Sequence, residues 1–275
     1  MSTKASSRAT VSRRGVLQGA AATVVLGVSG CGGANAPAGV VRRSGTFRSR
    51  HWPGQDVGWQ LALPSSHPAK TTPVVIALHG RGGAAGDAFD SLHLDQHVRE
   101  AGLAVVSVDG GDYYWHARRV GIDPGAMVVD DLLPLLVRQT GYAGKVAFLG
   151  WSMGGYGSLL LASQLGPSRV AAVVAESAAL WTAPGLSAPG AFDDRADFVA
   201  HDVFKRTAVL SRIPVRLDCG SSDPFVPGNR AFAAALPSAR LRFDPGGHTN
   251  DFWSSHAAAQ LRWIRQQFDA QRVFQ

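Results

Sequence analysis

The stretch Val146-Ala147-Phe148-Leu149-Gly150-Trp151-Ser152-Met153-Gly154-Gly155 decides how this chain folds. Its first half is a short apolar run of the kind buried in a parallel sheet. The residues after it, Tyr156 to Leu165, suit a helix. Between them stands a serine flanked by glycines in the pattern G-x-S-x-G. In a sharp strand-to-helix turn, Gly150 and Gly154 leave room where a side chain would collide with the neighbouring strand and helix. The hydroxyl of Ser152 is then lifted to the carboxyl end of the sheet, at the positive end of a helix. Ser152 is therefore the candidate nucleophile.

Similar apolar runs recur at Pro73 to Leu78, Leu103 to Val108, Val170 to Ala175 and Pro214 to Leu217. Helix-compatible stretches at Asp87 to Ala101, Ala126 to Thr140, Met153 to Leu165, Asn229 to Leu236 and Ser254 to Phe268 separate and follow them. Strands alternating with helices imply right-handed βαβ units and an α/β fold with a mostly parallel, doubly wound sheet. Two further strands are expected between Ser44 and Leu63, joined near Pro53-Gly54. Residues 178 to 212, with Pro184, Pro189 and an acidic and aromatic patch from Phe192 to Phe204, break the rhythm. They read as a short excursion over the site.

A serine hydroxyl needs an imidazole to take its proton. Of nine histidines, only His201, His248 and His256 follow Ser152. His248 stands in Pro245-Gly246-Gly247-His248-Thr249, after the strand-like Leu241 to Phe243 and before the last helix, where this chain order places the base. Asp223, in Cys219-Gly220-Ser221-Ser222-Asp223-Pro224, is the candidate acid, with Asp218, Asp244 and Asp251 as competitors. His79-Gly80-Arg81-Gly82-Gly83 follows another strand, and its glycines let the chain turn amides towards the site. The backbone N–H groups of Arg81 and Met153 are the expected oxyanion donors, with Gly82 the neighbour most able to replace Arg81. The loop has neither a P-loop lysine nor G-x-G-x-x-G spacing, which argues against phosphate binding. Trp151, Trp181, Phe225 and Phe252 are candidates for an apolar acyl pocket, with ordinary core packing as the alternative.

The formal charge of +7 does not point to nucleic acid. Four of the 27 basic residues, Lys4, Arg8, Arg13 and Arg14, precede Cys31 and none of the 20 acidic residues does, which leaves an excess of +3 after it. Paired arginines, an apolar stretch from Val16 to Val28 too short to span a bilayer comfortably, and Val28-Ser29-Gly30-Cys31 resemble a Tat-type lipoprotein signal. The resemblance implies residues 1–30 as signal peptide, lipidation of Cys31, and residence on the outer face of the bacterial cytoplasmic membrane or cell envelope. Residues 31–45 then read as a flexible tether and 46–275 as the catalytic domain. Cys219 is the only other cysteine.

Together these motifs resemble the bacterial esterase family of α/β-hydrolases that includes esterase D, S-formylglutathione hydrolase, tributyrin-type carboxylesterases and the antigen 85 mycolyltransferases. The resemblance rests on His79-Gly80, Gly150 to Gly155, Cys219 to Asp223 followed by Asn229-Arg230-Ala231-Phe232, and Gly247-His248 with Phe252-Trp253. It covers roughly Pro73 to Trp263. It implies a Ser152-Asp223-His248 triad, a small or lipid-like ester substrate cleaved through an acyl-enzyme, and no cofactor or metal. An acyltransferase using the same triad and a non-catalytic binding lipoprotein on the same fold are the alternatives.

Overall fold

The computed structural model describes residues 36–272. The leader and Cys31 lie outside the described residues. Eight strands form one sheet: β1 (Val40–Ser49), β2 (Trp52–Pro64), β3 (Val74–Leu78), β4 (Ala104–Val108), β5 (Val146–Trp151), β6 (Val170–Glu176), β7 (Val215–Gly220) and β8 (Arg240–Asp244). Their order is β1-β2-β4-β3-β5-β6-β7-β8. β1 and β2 pair antiparallel, β2 joins β4 antiparallel, and the remaining pairs are parallel. The helices are α1 (Asp87–Asp90), α2 (Asp95–Ala101), α3 (Pro124–Met127), α4 (Leu133–Thr140), α5 (Met153–Leu165), α6 (Arg195–Ala200), α7 (Thr207–Leu210), α8 (Val226–Ala235) and α9 (Asn250–Arg272). This is the mostly parallel, doubly wound sheet that the alternation of runs implies, in the order expected from the resemblance to α/β-hydrolases.

The central strands are buried along their whole length because both faces of the sheet are covered. Alternate residues divide between two cores: Val146 and Phe148 of β5 pack with α5, whereas Ala147, Leu149 and Trp151 pack with α2 and α9. Such β-branched and large apolar side chains each contribute about 1.5–3 kcal/mol on full burial.

Several boundaries differ from the expectation. The tether expected over 31–45 is shorter, because residues 40–45 already belong to β1, with Val40 opposite Pro64 and Gly45 opposite Trp59. β1 and β2 turn at Arg50-His51, ahead of Pro53-Gly54. The helix expected over 87–101 is broken between α1 and α2. Leu92 and Leu94 are both buried, and residues two apart cannot share one helical face; His93 accordingly takes φ 53°. The helix expected from Ala126 begins at Pro124, where the Asp123 carboxylate accepts the Ala126 N–H at 2.9 Å. It widens into a π turn over Val128–Leu132 and continues as α4, with Pro134 in its first turn, where a missing N–H costs least.

Candidate active site

The nucleophile's turn is built by close approach of backbones. A Cβ on Gly154 would fall 1.8 Å from the Leu78 carbonyl oxygen of β3, and one on Gly150 would fall 2.2 Å from the Gly154 oxygen. With no room to relax, the chain forces Ser152 to φ 56°, ψ −119°, a conformation that costs a non-glycine residue about 1–3 kcal/mol. The Ser152 N–H is tied to the Glu176 oxygen at 2.9 Å, and the hydroxyl stands at the start of α5.

His248 reaches it from the loop after β8. Its Nε2 lies 2.9 Å from Ser152 Oγ and its Nδ1 2.8 Å from Asp223 Oδ2. A carboxylate only accepts, so Nδ1 carries the proton and Nε2 offers its lone pair to the serine hydroxyl. Asp223 follows β7, with its side chain fully buried, and its Oδ1 accepts the Phe225 N–H at 2.8 Å. Burial alone would raise this carboxyl. Hydrogen bonds from His248 and the Phe225 N–H, with a smaller contribution from the Ser177 hydroxyl, outweigh that effect and hold it below the ordinary aspartate value. The competing residues sit elsewhere: Asp218 binds Arg216 Nε at 2.8 Å, Asp244 binds His256 Nε2 at 2.9 Å, and His201 faces Asp197 at 2.8 Å.

The oxyanion loop is pinned by a buried histidine. His79 Nε2 accepts the Gly110 N–H at 2.9 Å, so its proton is on Nδ1, which donates to the Gly80 oxygen at 2.7 Å. Burial lowers the His79 pKa and keeps the ring neutral, as that tautomer requires. The Gly82 N–H is taken by Asp112 Oδ1 at 2.6 Å. Those of Arg81 and Met153 have no hydrogen-bond partner among the described residues, so Arg81, not Gly82, has its amide free.

Of the four aromatics considered for the pocket, the fold brings two to the site. Phe225 lies 5.2 Å from the His248 ring and Trp181 lies 5.7 Å from Phe225, ring centre to centre. Trp151 and Phe252 do not join them. Trp151 shares its strand parity with Ala147 and Leu149, and Phe252 lies on α9, so both are buried in the layer on the opposite face. Their hydrophobicity serves that core. Tyr114 and Phe192 instead extend the wall, at 5.8 and 6.2 Å from Trp181. Tyr114 and Trp115 take φ 53° and 59°, a strained pair whose conformation no residue pattern announces.

Two more residues stand at the triad: Ser177, outside any motif, and Trp253, which belongs to the motif but to which the sequence gives no role. The Trp253 ring stands edge-on to His248 at 4.9 Å, and its Nε1 donates to Ser177 Oγ at 3.0 Å. The Ser177 hydroxyl is also among the groups that lower the Asp223 carboxyl, after His248 and the Phe225 N–H. Ser177 lacks flanking glycines, so its link to the acid emerges only when β6, β7 and α9 meet. Cys219 is buried beside these groups, and burial pushes its thiol up to about 12, which keeps it unreactive.

The excursion over 178–212 is fastened next to the site. Arg118 binds Asp193 at 2.9 Å, the Tyr156 hydroxyl donates to the His201 oxygen at 2.9 Å, and His116 stacks on His201 with ring centres 4.3 Å apart. His116, His201 and Asp197 bring three possible metal ligands together. The two rings lie only 25° from parallel, so their in-plane lone pairs run side by side and do not converge on one ion.

The family model described as "Putative esterase" matches residues 51–271. A search of curated proteins gave no match. Among solved structures, a ferulic acid esterase aligns at 19% identity and TM-score 0.73, over 83% of this chain and 98% of that one. An S-formylglutathione hydrolase from Agrobacterium tumefaciens aligns at 19% identity and TM-score 0.72, over 85% and 97%. The substrate-bound fluorophosphonate-binding serine hydrolase F of Staphylococcus aureus aligns at 17% identity and TM-score 0.69, over 82% and 98%. At such identities the structures attest the fold, and the family match carries the assignment. With the family model spanning most of the chain, and Ser152, His248 and Asp223 in hydrogen-bonded sequence at the carboxyl end of the sheet, this chain belongs to the esterase family of α/β-hydrolases.

Proposed function

We propose that the protein hydrolyses a small or lipid-like carboxylic ester through an acyl-enzyme on Ser152. The observation that carries this reading is the relay of Ser152 Oγ, His248 and Asp223 at 2.9 and 2.8 Å. His248 Nε2 takes the hydroxyl proton as Oγ attacks the ester carbon. The resulting alkoxide is met by the N–H groups of Arg81 and Met153. Collapse breaks the ester C–O bond, and His248 returns the proton to the leaving alcohol. Water then repeats the sequence and releases the acid. On p-nitrophenyl acetate a burst of one nitrophenolate per enzyme should precede the steady state; an activated water that attacked directly would give no covalent acetyl-Ser152 in the mass spectrum of quenched enzyme, and that result would remove the acyl-enzyme.

Ser177 acts here as a positioning residue. Replacing it with alanine removes the hydroxyl that holds Trp253 Nε1 at 3.0 Å and helps to lower the Asp223 carboxyl, and polar contacts to charged groups are worth about 1.5–3 kcal/mol at most. We expect kcat to fall about 3- to 30-fold with KM unchanged and Tm nearly constant; a loss confined to KM or to Tm would contradict the role.

Trp181 and Phe225 form the acyl wall in this reading. Trp181→Ala should shift the octanoyl-to-acetyl ratio of kcat/KM upward by about tenfold, since truncation opens space where the aromatic cluster now stands. An unchanged ratio would remove Trp181 from the pocket.

We further propose that the protein is exported and anchored by lipid on Cys31, on the strength of the leader's paired arginines and the Val28-Ser29-Gly30-Cys31 motif. No helix among the described residues is long and apolar enough to cross a membrane. Palmitate labelling in cells that survives Cys31→Ser would refute the anchor.

A further inference from the structure

We propose that the end of the domain opposite the active site docks on an anionic phospholipid bilayer and holds the Ser152 mouth away from it. The inference takes its setting from the lipid-anchor reading, but its evidence is separate. In a doubly wound sheet the amino ends of the parallel strands and the carboxyl ends of the helices share one face. Here that face collects cations: Lys70 precedes β3, Arg99 and Arg138 close α2 and α4, Arg169 precedes β6 and Arg272 ends α9. α9 does end here, since Gln271 donates to the Ala171 oxygen of β6 at 2.8 Å and accepts from Lys145 Nζ at 3.0 Å. Arg212 and Arg240 continue the row along β7 and β8.

The acidic groups at this end, Glu100 and Asp269, are already bridged to Arg262 at 3.5 Å and Arg265 at 2.9 Å. Lys70, Arg138, Arg169 and Arg212 are exposed and have no acidic partner among the described residues. At the carboxyl end of the sheet charges are paired: Arg81 lies 4.0 Å from Asp112 and Arg118 2.9 Å from Asp193. Unpaired cations thus mark the amino end, whereas the end around the site carries both signs.

Two observations select a bilayer as the occupant. The first is where the chain enters. Gly39 runs beside Arg99, whose Cδ lies 3.0 Å from where a Cβ on Gly39 would be, and the Gly39 oxygen accepts the Ser65 N–H at 2.9 Å. Cys31 is eight residues before Gly39, at most about 29 Å of extended chain at ~3.6 Å per residue. A lipid on Cys31 would therefore bring this face, and not the catalytic one, against its membrane. The second is chemical. Between Lys145, Arg169 and Arg272 opens a groove of about 880 Å³ walled by Leu133, Val137 and Phe268. Cations rimming an apolar slot match a phospholipid, with its phosphate outside and its acyl chain within. A nucleic acid would meet the cations but would have no use for the slot.

Each Lys or Arg held at an anionic leaflet adds about 1 kcal/mol, which is roughly fivefold in partitioning. The full chain carrying Cys31→Ser, so that lipidation plays no part, should co-sediment with vesicles of 30% phosphatidylglycerol in phosphatidylcholine and bind pure phosphatidylcholine at least a hundredfold less well. The variant that adds Lys70→Glu, Arg138→Glu, Arg169→Glu and Arg212→Glu should lose that preference while keeping its activity on p-nitrophenyl acetate, because none of the four lies near Ser152. Both proteins keep the same basic leader. A preference for phosphatidylglycerol that persists in the charge-reversed chain, equal binding to both vesicles, or binding to duplex DNA in place of vesicles would each overturn the docking face. Palmitate labelling in cells that survives Cys31→Ser would refute the anchor and leave this vesicle result standing.

Discussion

Ser152→Gly and Ser152→Ala should both lose ester hydrolysis by at least about 10⁴-fold, the scale on which removing a triad nucleophile acts, and both should cease to react with a fluorophosphonate. The two variants part in stability. Ser152 is held at φ 56°, ψ −119°, where any Cβ is strained by about 1–3 kcal/mol. Alanine keeps that Cβ, whereas glycine releases it and gives back about 0.5–1 kcal/mol through the greater freedom of its unfolded chain. The glycine variant should therefore melt a few degrees above the alanine variant, since 1 kcal/mol moves a domain of this size by roughly 2–4 °C. Activity within a hundredfold of the parent would remove Ser152 as nucleophile. A glycine variant that melts lower than the alanine variant would show that the turn stores no strain.

The same turn explains what the sequence could and could not tell. The run Val146 to Leu149 and the pattern around Ser152 name a strand, a turn and a helix together, and α5 spans the expected Met153 to Leu165. His248 and Asp223 were legible because chain order restricts which loops can carry base and acid. The pocket was less legible because hydrophobicity does not state a direction. Trp151 and Trp181 are alike in type, and only the two-residue period of β5 sends one to the α9 layer. The positions of Leu92 and Leu94 broke a helix that composition favoured. Ser177 and Trp253 were hidden for a different reason: their bond joins residues 76 apart, and no local spacing encodes such a meeting.

Glu176→Gln should stabilise the protein increasingly as pH rises. Glu176 ends β6 one residue before Ser177, and its carboxyl is wholly buried. Burial, with the neighbouring Asp218 carboxylate second, lifts its pKa well above the ordinary glutamate value, against smaller lowering by Gln260 and Arg216. Arg216 cannot offset this, because its Nε is spent on both Asp218 oxygens at 3.0 and 2.8 Å. His256 Nδ1 stays 3.9 Å from Glu176 Oε1, beyond hydrogen-bond reach. Neither Glu176 oxygen has a hydrogen-bond partner, a state that burial penalises far more for a carboxylate than for a neutral carboxyl, and the Nε2 of neighbouring Gln260 is given to Asp218 at 3.0 Å. The folded chain thus keeps a proton that the unfolded chain releases above pH about 4.3. With more protons bound in the folded state, stability falls as pH rises, by about 1.4 kcal/mol per unit from that pH until the folded carboxyl itself ionises. Glutamine is a neutral isostere that supplies the same donor without this penalty. Parent and variant should unfold at similar denaturant concentrations near pH 4.5 and diverge progressively above it, until the folded carboxyl itself ionises. A constant difference across that range would mean that Glu176 is already ionised in the fold, with Arg216 or His256 as its counter-charge, where a neutral carboxyl is expected.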